Sequence, residues 1–256
     1  MDLGVSGRTA LVVGAGRGIG RATARLLADE GVSVIAVARS RGDLDSLLAD
    51  MRGDGRDHAA FDLDLMSEGG VRTLLDGIGD RPIDIVVHNL GGTLGITDPF
   101  CPIEDWRAVY RFNLEIAVEI NLGLIPKMVE RTWGRVVHVS SIAAMENQGP
   151  ATYCAMKAAL TAYVRSLAGI VAKDNVMLSA VLPGAIFNEG GYWADAVENR
   201  PEHVRYFLTE RQRIGRFGKP EEIANTILFL ASDLASFTVG SIVPVDGGQG
   251  RGFFGQ

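Results

Sequence analysis

Short, almost wholly apolar runs alternate along the chain with longer stretches in which apolar positions recur at a helical period. Seven such runs predict β-strands, at residues 9–13, 32–38, 58–61, 83–88, 135–140, 176–182 and 241–245. Most of them contain few polar positions, which is typical of strands buried on both faces. The alternation favours an α/β fold, in which about seven strands form one doubly wound parallel sheet with helices on both faces.

One connection is longer than the others and contains several aromatic residues. It runs from Pro183 to Pro220. Long irregular insertions in compact domains are usually lids or binding loops, so we predict a substrate-binding loop or lid at about residues 185–215. The alternative is a surface pair of helices that packs its aromatic side chains on the body of the protein. No linker or change in composition divides the chain, so a single domain over residues 1–256 is expected.

Charge and composition argue against several classes of protein. The 256 residues are 47% hydrophobic, with a net charge of −6 and no basic cluster, so a nucleic-acid partner is not expected. The apolar stretch at residues 114–129 is interrupted by charged side chains, so a membrane partner is not expected either. Cys101 and Cys154 have no metal-ligand spacing, so no metal site is predicted, and two free thiols fit a reducing cytoplasm.

The segment GAGRGIG, residues 14–20, follows the first predicted strand and opens a helical pattern. Gly14, Gly18 and Gly20 would allow a tight turn and let the backbone approach a pyrophosphate at the amino end of that helix. The spacing differs from the standard GxGxxG fingerprint, and the alternative is a glycine-rich turn without a ligand. Its place between a strand and a helix favours a dinucleotide site and, with it, a Rossmann-type sheet.

The end of the second predicted strand indicates which dinucleotide binds. An acidic residue there would bind the 2′-hydroxyl of the adenosine ribose, whereas an arginine accommodates a 2′-phosphate. This strand ends at Ala38 and is followed at once by Arg39, and Arg17 of the glycine loop is placed to approach the same phosphate. A solvated surface role for Arg39 is the alternative. The absent acid and the two arginines together favour NADP(H) over NAD(H).

Tyr153 and Lys157 lie four residues apart in a predicted helix, and therefore on one face of it. A phenol with its ordinary pKa of about 10 is a poor base at neutral pH, but a nearby ammonium favours the phenolate and lowers that pKa. The preceding strand delivers Ser140 and Ser141 at its carboxyl end, where ligands bind in open α/β sheets. This convergence predicts acid–base catalysis, and the alternative is an ordinary solvated helix face.

These motifs resemble those of the short-chain dehydrogenase/reductase family, and the resemblance covers essentially the whole chain. The family's motifs match Gly14, Gly18, Gly20, Asp64, Asn89, Gly91, Asn113, Ser141, Tyr153, Lys157, Pro183 and Gly184. The final segment, with RFGKPEEIA and VDGG, is similar to the branch that contains 3-oxoacyl-carrier-protein reductases. The sequence departs from the family pattern at Val13, His88, Leu90 and Asn188. Of these, His88 is interpreted as a strand-end histidine whose hydrogen bonds are satisfied.

The resemblance implies a role for each residue of the predicted catalytic group. Tyr153 would donate a proton to a carbonyl in reduction and remove it in oxidation, while Lys157 would lower the pKa of Tyr153 and bind the nicotinamide ribose. Ser141 would hydrogen-bond the substrate oxygen, and Asn113 would hold a water that continues the proton path. Ser141 is preferred to Ser140 because the IAA that follows it matches the family's segment. Hydride would pass directly between nicotinamide and substrate.

Two sets of binding residues are therefore expected. The cofactor set is Gly14, Arg17, Gly18, Ile19, Gly20, Arg39, Ser40, Asp64, Leu65, Asn89, Gly91, Tyr153, Lys157, Pro183, Gly184 and Ile186. The substrate set is Asn147, Phe187, Glu189, Tyr192 and Trp193.

The mixture of polar and aromatic residues in the substrate set favours a small polar, sugar-like molecule. The expected function is NADP(H)-dependent interconversion of a ketone and a secondary alcohol. One alternative is a 3-oxoacyl-carrier-protein reductase, and another is a non-catalytic dinucleotide-binding regulator. The resemblance also implies a homotetramer, with residues 248–256 at a subunit contact, and a homodimer is the alternative.

Overall fold

The computed structural model describes residues 1–51 and 55–252, and within them seven parallel strands form one sheet. The strands are β1 (Thr9–Val13), β2 (Ser33–Ala38), β3 (Ala59–Asp62), β4 (Ile85–His88), β5 (Gly134–Val139), β6 (Val176–Pro183) and β7 (Ile242–Val245). The helices are α1 (Gly18–Asp29), α2 (Arg41–Asp50), α3 (Gly70–Ile78), α4 (Ile103–Tyr110), α5 (Ile116–Glu130), α6 (Ala151–Val171), α7 (Tyr192–Asn199), α8 (Pro201–Tyr206) and α9 (Pro220–Leu230). Two π-helical turns, Arg111–Glu115 and Phe207–Arg211, follow α4 and α8.

The strand order is β3-β2-β1-β4-β5-β6-β7, which confirms the predicted doubly wound parallel sheet. Every predicted strand is present; β1 has the predicted bounds, and the others differ by one or two residues at an end. The order reverses at β1, where Val13 lies in register between Val37 of β2 and His88 of β4. Such a reversal leaves a crevice at the carboxyl ends of the two strands, which is where ligands bind in this architecture.

The sheet separates two apolar layers. Val12 of β1 belongs to the layer that packs against α1, α2 and α9, whereas Leu11 and Val13 belong to the layer that packs against α3, α5 and α6. Neighbouring residues of a strand point to opposite faces, so a strand covered by helices on both faces has no polar positions to alternate with. This burial explains the continuous apolar runs in the sequence.

One helix within the described residues is long and apolar enough to cross a membrane by length and composition alone. It spans Ala151–Asp174, with a mean hydropathy of 1.2 in an 18-residue window of which 28% is buried. The core helix of a globular domain passes the same test, and this helix packs on β6 and carries Tyr153 and Lys157. It is therefore weak evidence for a membrane span.

The long connection after β6 contains α7, α8 and the π-helical turn Phe207–Arg211, so the predicted lid segment includes a helical pair. Trp193 lies at the centre of an aromatic cluster: its ring centroid is 4.3 Å from that of Phe207, 4.9 Å from Phe217 and 5.0 Å from Tyr192. Most residues of α7 and α8 are exposed. The helical pair is therefore held together largely by its own aromatic side chains.

Candidate active site

A cavity of about 560 Å³ opens at the carboxyl edge of the sheet. The predicted cofactor residues that line it are Gly14, Arg17, Gly18, Ile19, Arg39, Ser40, Asp64, Leu65, Asn89, Gly91 and Ile186. The predicted cofactor residues that do not line it are Gly20, Tyr153, Lys157, Pro183 and Gly184. The lining residues that were not predicted to bind the cofactor are Gly16, Val37, Ala38, Asp43, Leu63, Met66, Leu90, Leu94, Phe112 and Asn188. Most of these are sequence neighbours of predicted residues, Phe112 beside Asn113 included, but Leu94 carries no local signal.

The glycine loop closes tightly between β1 and α1. Gly14 and Gly18 have φ of +81° and +55°, values that favour glycine. A Cβ on Gly20 would overlap the carbonyl of Gly14 and lie 2.7 Å from Asn89 Nδ2. Gly20 therefore packs under the loop and does not line the cavity. Asn89 Nδ2 donates a hydrogen bond to the Gly14 carbonyl at 3.0 Å and joins the end of β4 to the loop. Glycine is required here for close packing as well as for the turn.

Helix α1 begins beside this cavity with its first N–H groups uncapped. Its N-cap residue, Arg17, makes no side-chain capping hydrogen bond. The first N–H groups of a helix have no partner inside it, and together with the helix dipole they attract an anion. The helix therefore presents the chemistry that a pyrophosphate requires.

The end of the cavity beside β2 and β3 carries two cations and two acids. Arg17, Arg39, Ser40 and Asp64 line it, as does Asp43, which was not predicted to bind the cofactor. Neither arginine forms an ion pair with any carboxylate in the described part of the chain, whereas the neighbouring Arg41 pairs with Asp45 at 2.8 Å. Ser40 accepts a hydrogen bond from the Asp43 N–H and thereby caps α2. Both cations are thus available to a ligand.

The strand that ends at Val139 brings the predicted catalytic residues together. The Ser141 hydroxyl interacts with the Tyr153 phenol, and it accepts a hydrogen bond of 3.1 Å from the Ala143 N–H. Lys157 Nζ donates to the Val139 carbonyl at 3.0 Å and lies 5.6 Å from the centroid of the Tyr153 ring. Ser140 is buried, and its hydroxyl donates to the Lys157 carbonyl. Of the two serines, Ser141 is therefore the partner of the phenol.

Burial dominates the acid–base properties of this pair. It raises the pKa of Tyr153, while the hydrogen bond from Ser141 acts in the opposite direction. Burial also lowers the pKa of Lys157 to about 8. The sequence analysis expected the ammonium to lower the pKa of the phenol, but in this structure desolvation of the phenol is the larger effect and the pKa is raised.

Asn113 lies in the π-helical turn Arg111–Glu115, a local irregularity that frequently marks functional sites. Its Oδ1 accepts from the Gly92 N–H, and its Nδ2 donates to the carbonyls of Gly92 and Val109, each at 2.9 Å. A Cβ on Gly91 would lie 2.6 Å from Lys157 Nζ and 2.9 Å from Asn113 Oδ1. Because Gly91 has no side chain, the Lys157 ammonium and the Asn113 amide can lie close to its backbone at the cavity wall. The hydrogen bonds of Asn113 fix the turn that contains Gly91.

The predicted substrate residues are less closely grouped, and none of the five lines the large cavity. Phe187 and Tyr192 are 39% and 57% exposed, and Glu189 is also exposed. Trp193 faces its own aromatic neighbours. Asn147 lies in the loop between β5 and α6. Phe187, Tyr192 and Trp193 belong to one aromatic cluster that includes Phe217, whereas Asn147 lies on a separate loop.

Two histidines that the sequence does not link are stacked under the catalytic group. The rings of His88 and His138 lie 4.6 Å apart, and His88 Nε2 is 2.8 Å from Asn121 Oδ1. Asn121 Nδ2 is also 3.1 Å from the Tyr163 hydroxyl. Burial lowers the pKa of His88 to about 4, and it lowers the pKa of His138 as well. The interpretation of His88 as a satisfied strand-end histidine is confirmed.

Comparison with known proteins gives matches over nearly the whole chain. Residues 14–249 match the family model described as enoyl-(acyl carrier protein) reductase. The chain is 34% identical over 247 residues to the 3-oxoacyl-[acyl-carrier-protein] reductase FabG of Thermotoga maritima, an alignment that covers 95% of this chain and 98% of that relative. It is 33% identical over 254 residues to L-xylulose reductase of Bos taurus, covering 97% of this chain and 98% of the relative.

Solved structures also match this chain over nearly its whole length. L-sorbose reductase from Gluconobacter frateurii, complexed with NADPH and L-sorbose, has a TM-score of 0.91 and 30% identity, covering 99% of this chain and 100% of the other. A 3-oxoacyl (acyl-carrier-protein) reductase from Agrobacterium tumefaciens C58 with NADP bound has a TM-score of 0.89 and 32% identity, covering 96% of each chain. A 7α-hydroxysteroid dehydrogenase complexed with NADH has a TM-score of 0.87 and 28% identity, covering 99% and 98%.

Proposed function

The chain belongs to the short-chain dehydrogenase/reductase family, and we propose that it interconverts a ketone and a secondary alcohol, with NADP(H) as cofactor and Tyr153 as general acid and base. The observation that carries the proposal is the group formed by Ser141, Tyr153 and Lys157 at the carboxyl end of β5. Gly91 of the large cavity abuts the Lys157 ammonium, so this group borders the space in which a dinucleotide would lie.

The residues around the cavity fit a dinucleotide. The uncapped amino end of α1 and the bare backbone at Gly14 and Gly18 suit a pyrophosphate. Lys157 lies at the wall nearest the catalytic group and would bind the nicotinamide ribose. When bound, the nicotinamide supplies or accepts the hydride.

The protein's own contribution is to hold and move one proton. In reduction, a raised pKa keeps Tyr153 protonated and ready to donate to the carbonyl oxygen, which Ser141 would hold by a hydrogen bond. The Lys157 ammonium would stabilise the phenolate as it forms. Asn113 supports this group by fixing the Gly91–Gly92 turn, and a water next to it would continue the proton path.

A carbonyl and alcohol panel tests the reaction class. We expect ketone reduction with NADPH, followed at the nicotinamide absorbance, and the reverse reaction with the matching secondary alcohol. Because the pKa of Lys157 is about 8, the rate of reduction should fall as the pH rises through that value and the ammonium loses its charge. Failure of every ketone and alcohol to react with either dinucleotide would refute the proposal.

Preference for NADP(H) rests on Arg17 and Arg39, which line the cavity without a carboxylate partner in the described residues. Asp43 and Asp64 line the same cavity and would repel a 2′-phosphate, so the preference depends on the attraction of Arg17 and Arg39 exceeding the repulsion of both carboxylates. We expect NADPH to raise the melting temperature more than NADH does, and Arg39→Ala to reduce that difference. Stronger stabilisation by NADH would overturn this part of the proposal.

For the substrate, we propose a small polar ketone of the sugar-like class, bound near Asn147, Phe187, Glu189, Tyr192 and Trp193. The polar and aromatic character of these residues supports it, as does the likeness to L-xylulose reductase and to L-sorbose reductase. The second candidate, a 3-oxoacyl group on a carrier protein, is favoured by the likeness to the FabG proteins. Turnover of a carrier-linked 3-oxoacyl thioester without turnover of polyhydroxy ketones would reverse the choice.

We also propose that the chain assembles as a homotetramer in the cytoplasm. Large apolar side chains stand exposed on α5, α6, α9 and the segment before β7; they are Leu122, Ile170, Phe229, Phe237 and Val239. Exposed apolar surface of this extent favours burial against a second copy. Residues 248–252 lie against their own chain, and residues 253–256, the rest of the predicted subunit contact, lie outside the described residues. Sedimentation equilibrium measures the assembly, and a monomer would contradict it.

A further inference from the structure

The chain turns back after β7 and crosses two loops at the carboxyl edge of the sheet. We call residues 246–252 the C-terminal strap. Its Gln249 is only 7% exposed, and the amide of that side chain bonds both loops. Oε1 accepts from the Ala185 N–H at 2.8 Å, and Nε2 donates to Gln148 Oε1 at 2.8 Å. One buried side chain thus joins the loop before Tyr153 to the loop after β6.

Gly184 is shaped to receive this side chain. A Cβ on Gly184 would lie 2.8 Å from Gln249 Oε1 and 2.8 Å from the Cα of Asp246. The sequence analysis assigned Gly184 to the cofactor, but it does not line the large cavity. Its lack of a side chain instead makes room for the strap.

Glu146 forms a second tie between the strap and the loop before Tyr153. One of its carboxylate oxygens accepts from the N–H groups of Arg251 and Gly252, and the other accepts from the Gln148 amide. Burial opposes ionisation of this carboxyl, but these hydrogen bonds prevail and lower its pKa. The carboxylate is therefore engaged by the strap and is not free to bind a substrate.

A third set of contacts reaches the end of the helical pair. The Arg251 guanidinium donates to the Glu210 carbonyl at 2.6 Å, and Gln212 Nε2 donates to the Asp246 carbonyl at 2.8 Å. The strap therefore touches three segments: the β5–α6 loop that precedes Tyr153, the β6–α7 loop and the end of the π-helical turn Phe207–Arg211. General packing of a chain end does not need a buried amide with partners on two separate loops.

We propose that Gln249 is a positioning residue that sets the separation between these two loops and thereby determines the size of the substrate that the enzyme accepts. The inference rests on the proposed function, because Ser141 and Tyr153 flank one loop and Phe187 lies in the other. Loss of the amide would leave the Ala185 N–H and Gln148 Oε1 without partners in a buried place. Small displacements of loops that orient a substrate have large effects on rate and selectivity.

The test compares Gln249→Ala, Gln249→Glu and Gln148→Ala with the wild type, all as full chains with NADPH bound. Gln249→Glu keeps the acceptor for the Ala185 N–H and loses the donor to Gln148, so it separates the two bonds. Gln212→Ala is the matched control: Gln212 is also a buried glutamine whose side chain bonds the strap, and among the described residues that side chain has no hydrogen bond to either loop. Each variant is measured by steady-state kinetics on a small and a bulky ketone, and by amide hydrogen exchange.

For Gln249→Ala we expect faster exchange in residues 141–153 and 184–190, and a KM for the small ketone raised about tenfold. We also expect the ratio of kcat/KM between the small and the bulky ketone to fall about tenfold. Gln148→Ala should speed amide exchange only in residues 141–153. Gln249→Glu should change exchange and the ketone ratio by amounts between those of Gln148→Ala and Gln249→Ala. Gln212→Ala should lower the melting temperature and leave the ketone ratio as in the wild type.

Exchange and ketone ratio that stay at wild-type values in both Gln249→Ala and Gln148→Ala would overturn the inference. The same holds if Gln212→Ala changes the ratio as much as Gln249→Ala does, since the effect would then be one of general stability. A wild type that reduces no ketone would overturn the proposed function instead. In that case the exchange data on the two loops would still decide whether Gln249 holds them.

Discussion

The two sides of the active site are built by different means. On the nucleotide side, backbone segments pack directly against one another. A Cβ on Gly20 would overlap the Gly14 carbonyl, and the Asn89 side chain donates a hydrogen bond to that same carbonyl. On the substrate side, α7 and α8 stand largely in solvent and are joined by contacts between aromatic side chains around Trp193. A site made of close backbone contacts tolerates few changes, whereas a site made of exposed side chains can vary without loss of the fold.

The relatives illustrate the consequence of this difference. A 3-oxoacyl-carrier-protein reductase and an L-xylulose reductase are 34% and 33% identical to this chain, although their names indicate unrelated substrates. Near-equal identity with both means that overall likeness does not select one of these substrates. The substrate must be identified by experiment on this chain.

The largest expected effect comes from the group that lies between the two sides. Tyr153→Phe removes the proton donor and retains the ring, so kcat should fall by roughly 10²- to 10⁴-fold. The melting-temperature shift produced by NADPH should remain, because Tyr153 does not line the large cavity. Unchanged turnover in Tyr153→Phe would contradict the acid–base role of Tyr153.

A change confined to the nucleotide side should abolish tight cofactor binding. Gly20→Ala places a Cβ against the Gly14 carbonyl, and the loop must move to relieve the overlap. We expect NADPH affinity, measured by calorimetry, to fall about 100-fold, which corresponds to about 2.7 kcal/mol.

The matched control is Gly42→Ala on α2, because a Cβ there would meet nothing within 4 Å. It should bind NADPH as the wild type does. Equal binding by both variants would show that backbone proximity at Gly20 is not what defines the nucleotide side.

Acidic pH should destabilise the fold through two buried histidines, His88 and His138. Since the pKa of His88 is about 4 in the folded chain, against about 6.5 in an unfolded chain, only the unfolded chain takes up this proton at mildly acidic pH. The free energy of unfolding should therefore fall as the pH decreases from about 6.5 towards 4. His88 contributes up to about 1.4 kcal/mol per pH unit, and His138 acts in the same direction.

Urea unfolding at several pH values measures this dependence. His88→Asn keeps a polar group beside Asn121 and should flatten the pH dependence, although it lowers stability at neutral pH. A profile with the wild-type slope in His88→Asn would exclude this histidine as the source.

The smallest effect is expected on the substrate side. Trp193→Ala removes the centre of the aromatic cluster, so the helical pair should loosen and the KM for the ketone should rise by about three- to tenfold. NADPH affinity should not change, because Trp193 does not line the nucleotide cavity. Tyr206→Ala, at a 60% exposed position on α8, is the control. Loss of NADPH binding in Trp193→Ala would show that the two sides are not separate.

Much of the fold and the catalytic group could be predicted because the signals are local in sequence. Apolar runs gave the strands, and the segment of residues 14–20 predicted a nucleotide loop that the structure forms. The i, i+4 spacing placed Tyr153 and Lys157 on one helix face. The order of the strands was not among the predictions and is given by the structure.

Three features could not be predicted because they depend on residues that are distant along the chain. Gln249 meets Gln148 across 101 positions, and no periodicity encodes such a contact. The direction of the Tyr153 pKa depends on burial by surrounding elements, so the ammonium four residues away was a misleading guide. The contacts of Trp193 with Phe207 and Phe217 likewise join separate segments, and no local pattern encodes them.

The sequence alone determined the elements, the glycine loop and the types of catalytic side chain, since these depend on the order and spacing of neighbouring residues. Only the tertiary structure decided the direction of the Tyr153 pKa, which glycine makes room for the strap and which loops Gln249 joins. These features depend on packing, because a difference of a few ångströms in the separation of distant segments determines which groups are in contact.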